Sequence, residues 1–268
     1  RYAWPVFATF LLLLGFTITK AERFQLARIA PLTNPPEVLA HQAEEILASL
    51  GFTEPPGDRL SFFHPDFAYL RHIARTDRSP GRWLQLRRSR PAAYRYWVRQ
   101  SPSELVRLDS SRIANRQADP PLTEPGMVEL ALDTEGRLLE LTAVPERLLP
   151  AEDSAPEAEW ASLFAAAGLE MSSFTASEPR WATPVFADRR RAWVGFFPEA
   201  PEIPLRVEAA SARGKPVALR LLGPWDLATP GPAATTVTER PFGFIFRPVL
   251  LTALTPSQLP AGRTLRRR

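Results

Sequence analysis

The chain has 268 residues, 45% of them hydrophobic, which suits one large domain or two small ones with a buried core and excludes global disorder. Its 29 prolines argue against a long helical bundle, and the absence of cysteine excludes disulfide scaffolds, thiol nucleophiles, iron–sulfur clusters and Cys-ligated zinc. The formal charge is +4, and every basic residue except Lys20 and Lys215 is arginine, a skew that a GC-rich genome explains as well as phosphate contacts do, so no nucleic-acid partner is expected.

From the front, Tyr2 to Thr19 carries no charge and runs through Trp4, Phe7, Phe10, Leu11 to Leu14, Phe16 and Ile18. Eighteen helical residues would cover about 27 Å, close to a hydrocarbon layer of about 30 Å, so residues 1–19 are expected to form a transmembrane helix with the lipid bilayer as the partner of residues 2–19. A signal peptide fits less well, because Thr19-Lys20-Ala21 is a poor cleavage site, and a core helix would show a polar face. Residues 20–36 read as a linker ending in Asn34-Pro35-Pro36, with Asn34 as a candidate N-cap.

A helix is expected over Pro36 to Leu50, where Val38, Leu39, Ala43, Ile46, Leu47 and Leu50 recur at helical spacing before Gly51. A shorter helix is expected over Pro65 to Ile73. Period-two patterns then predict strands at Arg82 to Arg87 and Tyr94 to Arg99, followed by a proline-rich loop and a hairpin whose arms, Met127 to Leu132 and Leu138 to Val144, flank Gly136. An acidic spacer leads to a helix over Trp160 to Ala167, capped by Gly168.

The second half repeats the first in order. Arg180-Trp181 answers Arg82-Trp83, Trp193 answers Trp97, and Val207-Glu208 through Gly214-Lys215 answers Val128-Glu129 through Gly136-Arg137. The expected fold class is α+β: the transmembrane helix, then two diverged modules over 37–148 and 149–228. Each would pack a helix on an antiparallel sheet, as in cystatin-like or PepSY-like units, with an irregular basic tail over 229–268.

Charge is segregated. Arg71 to Gln100 holds nine arginines against Asp77, whereas Gly126 to Trp160 holds nine acids against Arg137 and Arg147. Cross-strand pairing would neutralise most of both, a reading favoured over an anion-binding face. The histidines His41, His64 and His72 lack metal-ligand spacing, and Asp66 near them does not complete a set. Ser101-Pro102-Ser103-Glu104 lacks a nucleophile elbow, no phosphate-binding glycine loop occurs, and Glu129 and Glu208 read as recurring strand positions in place of a catalytic carboxylate pair. No catalytic, cofactor-binding or metal-binding residue is expected. Trp83, Trp97, Trp181 and Trp193 are expected as core landmarks, and the groove between the modules as the interaction surface.

Several landmarks carry a family resemblance: the apolar run before Ala21, Leu50-Gly51-Phe52, Arg82-Trp83, Tyr94-Arg95-Tyr96-Trp97 with Ser101-Pro102, Pro120-Pro121 with Pro125-Gly126-Met127, Leu132-Asp133 with Gly136-Arg137-Leu138, and Val144-Pro145. Through them, most of residues 4–225 resembles the region that follows the catalytic domain in acidobacterial-type membrane-bound serine/threonine protein kinases. The resemblance implies a cytoplasmic N-terminus, a globular part outside the cytoplasm, and a sensing or interaction role toward an envelope protein or small ligand. The rival expectation is a structural or assembly module of the envelope. None of the kinase motifs is present, so no kinase activity attaches to any residue of this chain, and residues 242–268 do not develop into further spans.

Overall fold

A computed structural model describes residues 3–24, 26–30, 32–108, 119–146 and 156–227. Residues 1–228 make one compact unit, and the expected tail over 229–268 lies outside the described residues. In chain order the helices are α1 (Ala3–Phe24), α2 (Leu26–Ile29), α3 (Pro36–Ser49), α4 (Phe67–Thr76), α5 (Trp160–Ala166) and α6 (Pro224–Leu227). The strands are β1 (Asp58–Pro65), β2 (Tyr94–Ser101), β3 (Val128–Leu132), β4 (Leu138–Ala143), β5 (Thr175–Ser177), β6 (Arg189–Phe197), β7 (Ala200–Ala212) and β8 (Lys215–Leu222).

Local sequence explains most of these elements. In α3 the buried stripe is Leu39, Ala43 and Leu47, Pro36 occupies the first turn where its missing N–H costs nothing, and Gly51 ends the helix at φ +84°. The cap at Pro35 makes no side-chain bond, so Asn34 does not act as the N-cap; its amide instead reaches Gln42 at 3.5 Å. Asp66 caps α4 by accepting from the Tyr69 N–H at 3.0 Å. The β3–β4 turn is set by Gly136 at φ +87° and by Asp133, whose Oδ1 accepts from the backbone N–H groups of Glu135 (2.9 Å) and Arg137 (3.0 Å).

Three expectations are corrected. Arg82–Arg87 is a 3-10 helix, and with Leu86 its only buried residue, the run has no half-buried face for strand alternation to serve. Of the span expected over residues 1–19, residues 3–19 belong to α1, which continues through Lys20, Glu22 and Arg23, and its apolar run is diluted by Pro5, Thr9, Gly15, Thr17 and Thr19. Among the described residues no helix is long and apolar enough to cross a membrane, so the transmembrane helix is withdrawn.

The third concerns the sheet. The α+β class holds, but two separate helix-on-sheet modules do not form. All eight strands join one antiparallel sheet in the order β1-β2-β3-β4-β8-β7-β6-β5. The halves meet where β4 pairs with β8 through Glu140↔Arg220, Leu141↔Leu219 and Thr142↔Ala218. Separate sheets would leave the backbone groups of β4 and β8 as bare edges, and Leu141 and Leu219, both almost fully buried, would lie along them.

The faces of this sheet differ. Strand alternation and register put Val207, Leu219, Leu221 and Trp193 on one face, where Trp160 and Phe164 of α5 meet Trp193 edge-on at 5.9 and 5.1 Å. The other face carries Arg95, Trp97 and Arg99 of β2, Glu129 of β3, Glu140 of β4, Arg220 of β8, and Arg206 and Glu208 of β7. From α4 and α6, Asp66 and Asp226 reach guanidinium groups of that face. Trp225 of α6 packs against Tyr69, His72 and Phe197, joining both halves of the chain.

Candidate functional site

The charged face gathers a row of paired arginines and carboxylates across β2, β3, β4, β8 and β7. Arg99 donates through Nε to Glu129 Oε2 at 2.7 Å, directly opposite in register. In the middle, Arg95 donates to Asp66 Oδ2 through Nε (3.0 Å) and Nη2 (2.5 Å) and to Glu140 through Nη1 (3.4 Å). Arg220 stands between Glu140 (3.7 Å) and Asp226 (4.0 Å). On β7, Arg206 Nε donates to Glu208 at 2.5 Å, and Glu208 also accepts from the Arg180 N–H at 3.0 Å. Burial pushes Glu129 up to about 7 against the pull of Arg99, and burial likewise raises Asp226. Burial pulls Arg95 down, but Asp66 and Glu140 outweigh it and raise the group. Each carboxylate in the row is held by a guanidinium, so the arrangement ties neighbouring strands of the sheet together.

A second buried cluster clasps the two halves. Arg90, with no exposed surface, donates through Nε to Asp133 Oδ2 at 3.1 Å and through Nη2 to the carbonyl of Ala167, at the end of α5. Arg137 donates to Asp133 Oδ2 at 2.7 Å and to Glu199 Oε1 at 2.6 Å, and Arg88 pairs with Glu202. The arginine-rich and acid-rich segments thus do meet, through Arg90, Arg95 and Arg99 on one side and Asp133, Glu140 and Glu129 on the other.

The residues singled out from sequence disperse. Trp97 and Trp193 are buried, while Trp83 and Trp181 are half-buried beneath Arg82 (5.2 Å) and Arg220 (5.8 Å). His41 reaches Glu45 at 3.5 Å on exposed α3, His64 meets Phe67 edge-on, and His72 packs on Trp225; among the described residues no group of His, Asp and Glu is placed to hold a metal. Glu129 and Glu208 occupy matching strands, β3 and β7, with β4 and β8 between them. Three strand spacings amount to about 14 Å, beyond the reach of a carboxylate pair. Ser103 is taken by Glu124.

Two concavities stand out among the described residues. Because two separate modules do not form, the groove expected between them has no counterpart; an open hollow of about 320 Å³ lies between α3 and α5, lined by Gln42, Glu45, Ile46, Ser49, Gly136, Ala165 and Ala166. Glu45 is its only charge, and nothing in it converges on a ligand. The other concavity is smaller and more enclosed, about 100 Å³. Its walls are Ala30 and Thr33 from the connector before α3, Leu86 to Ser89 at the end of the 3-10 helix, Ala92 to Tyr94 entering β2, and Thr134 and Glu135 of the β3–β4 turn. The connector is held there by Asn34 N–H donating to the Thr134 carbonyl at 3.0 Å and by the Thr33 and Thr134 hydroxyls, 3.3 Å apart.

Sequence reasoning missed this site because its residues come from four separated segments, none with a motif. The one available signal was Arg87-Arg88-Ser89-Arg90, more basic than its neighbours need. Comparisons with protein-family models, curated proteins and solved structures find no match.

Proposed function

We propose that this chain is a non-catalytic sensing region of a kinase-type signalling protein, extracytoplasmic in its parent, that takes a small polar ligand into the cavity between the connector and the β3–β4 turn. The observation that supports the reading is that partly enclosed hollow of about 100 Å³, lined by Thr33, Arg87, Ser89, Tyr94 and Thr134. The residue resemblance to the kinase-associated region supports the link to kinase output. Thr33 stands only a few residues beyond α2, so a ligand touching Thr33 on one wall and Thr134 on the other binds only while the connector is docked on the sheet. Binding therefore favours the docked arrangement of the segment that leads to α1 and α2, which is the physical requirement for a signal.

The test is a thermal-shift screen of small polar metabolites on the whole chain. Ligand at ten times its Kd should raise Tm by about 3 to 6 °C and slow hydrogen exchange over residues 26–34. Ala92→Leu, which fills the cavity wall, should abolish both effects. A screen in which no compound gives a saturable shift would leave the assembly-module reading standing.

A further inference from the structure

The chemistry of the cavity walls says more than that a small molecule fits. Hydrogen-bond donors dominate. Arg87, Ser89 and Tyr94 make no side-chain hydrogen bond or ion pair among the described residues, and Thr33 and Thr134 add two hydroxyls. Of the other charges, Arg88 pairs with Glu202 outside the cavity, and Glu135 lies 3.1 Å from Arg137, a guanidinium it shares with Asp133 and Glu199. Arg87 is exposed at the rim with no counter-ion, which leaves one uncompensated positive charge beside a set of idle donors.

From this arrangement we infer that the cavity is a binding site for a small oxyanion, a carboxylate or phosphate group of about four or five heavy atoms, with Arg87 supplying the charge and Ser89, Tyr94 and Thr33 the hydroxyl donors. The size follows from about 100 Å³, room for about three waters or one such group. Burial raises the Tyr94 phenol, so it stays protonated and able to donate throughout the physiological range. Glu135 faces the same space, and its engagement with Arg137 keeps it from repelling the ligand at full strength. The inference rests on the sensing reading of this cavity and adds the ligand class.

The whole chain is titrated with sodium acetate, with inorganic phosphate and with acetamide, at constant ionic strength set by chloride, reading Tm and the arginine Nε–H resonances by NMR. Acetate or phosphate should give a saturable shift and acetamide none, the acetate and phosphate arms telling a carboxylate ligand from a phosphate one. Arg87→Gln should weaken the anion by about tenfold or more, and Arg75→Gln, on exposed α4, should leave it unchanged. Acetamide binding as tightly as acetate, or Arg87→Gln retaining full affinity, overturns the anion assignment while the sensing reading stands. Failure of both anions, with neutral hits in the metabolite screen, does the same. Only an empty screen removes both.

Discussion

Asp133→Asn tests the clasp between the two halves of the sheet. The asparagine keeps the volume and, through its carbonyl, the acceptor for the Glu135 and Arg137 N–H groups that shape the β3–β4 turn. At the Oδ2 position, however, an amide N–H₂ would face the Nε–H donors of Arg90 and Arg137. Arg137 keeps Glu199 and Glu135, but Arg90 is fully buried and would hold a charge with no counter-ion. Breaking a buried pair from one side costs about 3 to 5 kcal/mol, against about 0 to 1 for an exposed one. In equilibrium urea unfolding this should lower the midpoint by about 1 to 2 M at unchanged slope. Arg90→Met added to Asp133→Asn removes the stranded charge and should recover about 2 kcal/mol. A loss below about 1 kcal/mol in the single variant, or no recovery in the double, would refute the claim that the pair's charge balance holds the halves together.

Three further outcomes are expected. Glu129 sits at about 7 in the folded chain against an ordinary 4.5, so between those values the folded state binds the extra proton and stability falls as pH rises from about 4.5 to 7, then levels. Glu129→Gln should flatten that window in pH-dependent unfolding, and a carboxyl-carbon NMR midpoint near 4.5 would contradict it. Gly51 and Gly136 both have positive φ, but a Cβ at Gly51 meets only Lys215 Cε at 3.9 Å, whereas one at Gly136 collides with the Gln42 side-chain amide. Gly51→Ala should cost about 1 to 2 kcal/mol from backbone strain and Gly136→Ala more, unless Gln42→Ala accompanies it; equal costs in thermal unfolding would show that Gln42 swings away freely. Trp225→Ala should lose about 3 to 5 kcal/mol, since the ring touches Tyr69, His72 and Phe197, and a loss under about 1 kcal/mol would mean that α6 merely rests on the sheet.

Patterns confined to one element were legible in the sequence. The stripe of Leu39, Ala43 and Leu47, the turn at Gly136 and the alternation in Tyr94 to Arg99 all signal through neighbours in the chain, and each became the expected element. The run at Arg82 to Leu86 misled because a short stretch of Trp and Leu looks the same whether it forms a strand or a single 3-10 turn. β1 escaped notice: Asp58, Arg59, His64 and Pro65 dilute Leu60 and Phe62, as an edge strand permits. The pairing of β4 with β8 could not be read at all, since it joins segments that lie about 80 positions apart and carry no mutual signal. The cavity shares that difficulty. That Arg87 lacks a carboxylate while Arg90, Arg95 and Arg99 each have one is a property of register and invisible in a count of arginines.

Among the described residues, the last strand to leave the ribosome is a central one. Because β8 inserts between β4 and β7, everything made before Lys215 forms two half-sheets with raw inner margins, including the greasy margin at Leu139 and Leu141. A polypeptide that stops a dozen positions before Leu222 lacks β8, and its open margins invite mispairing with other copies.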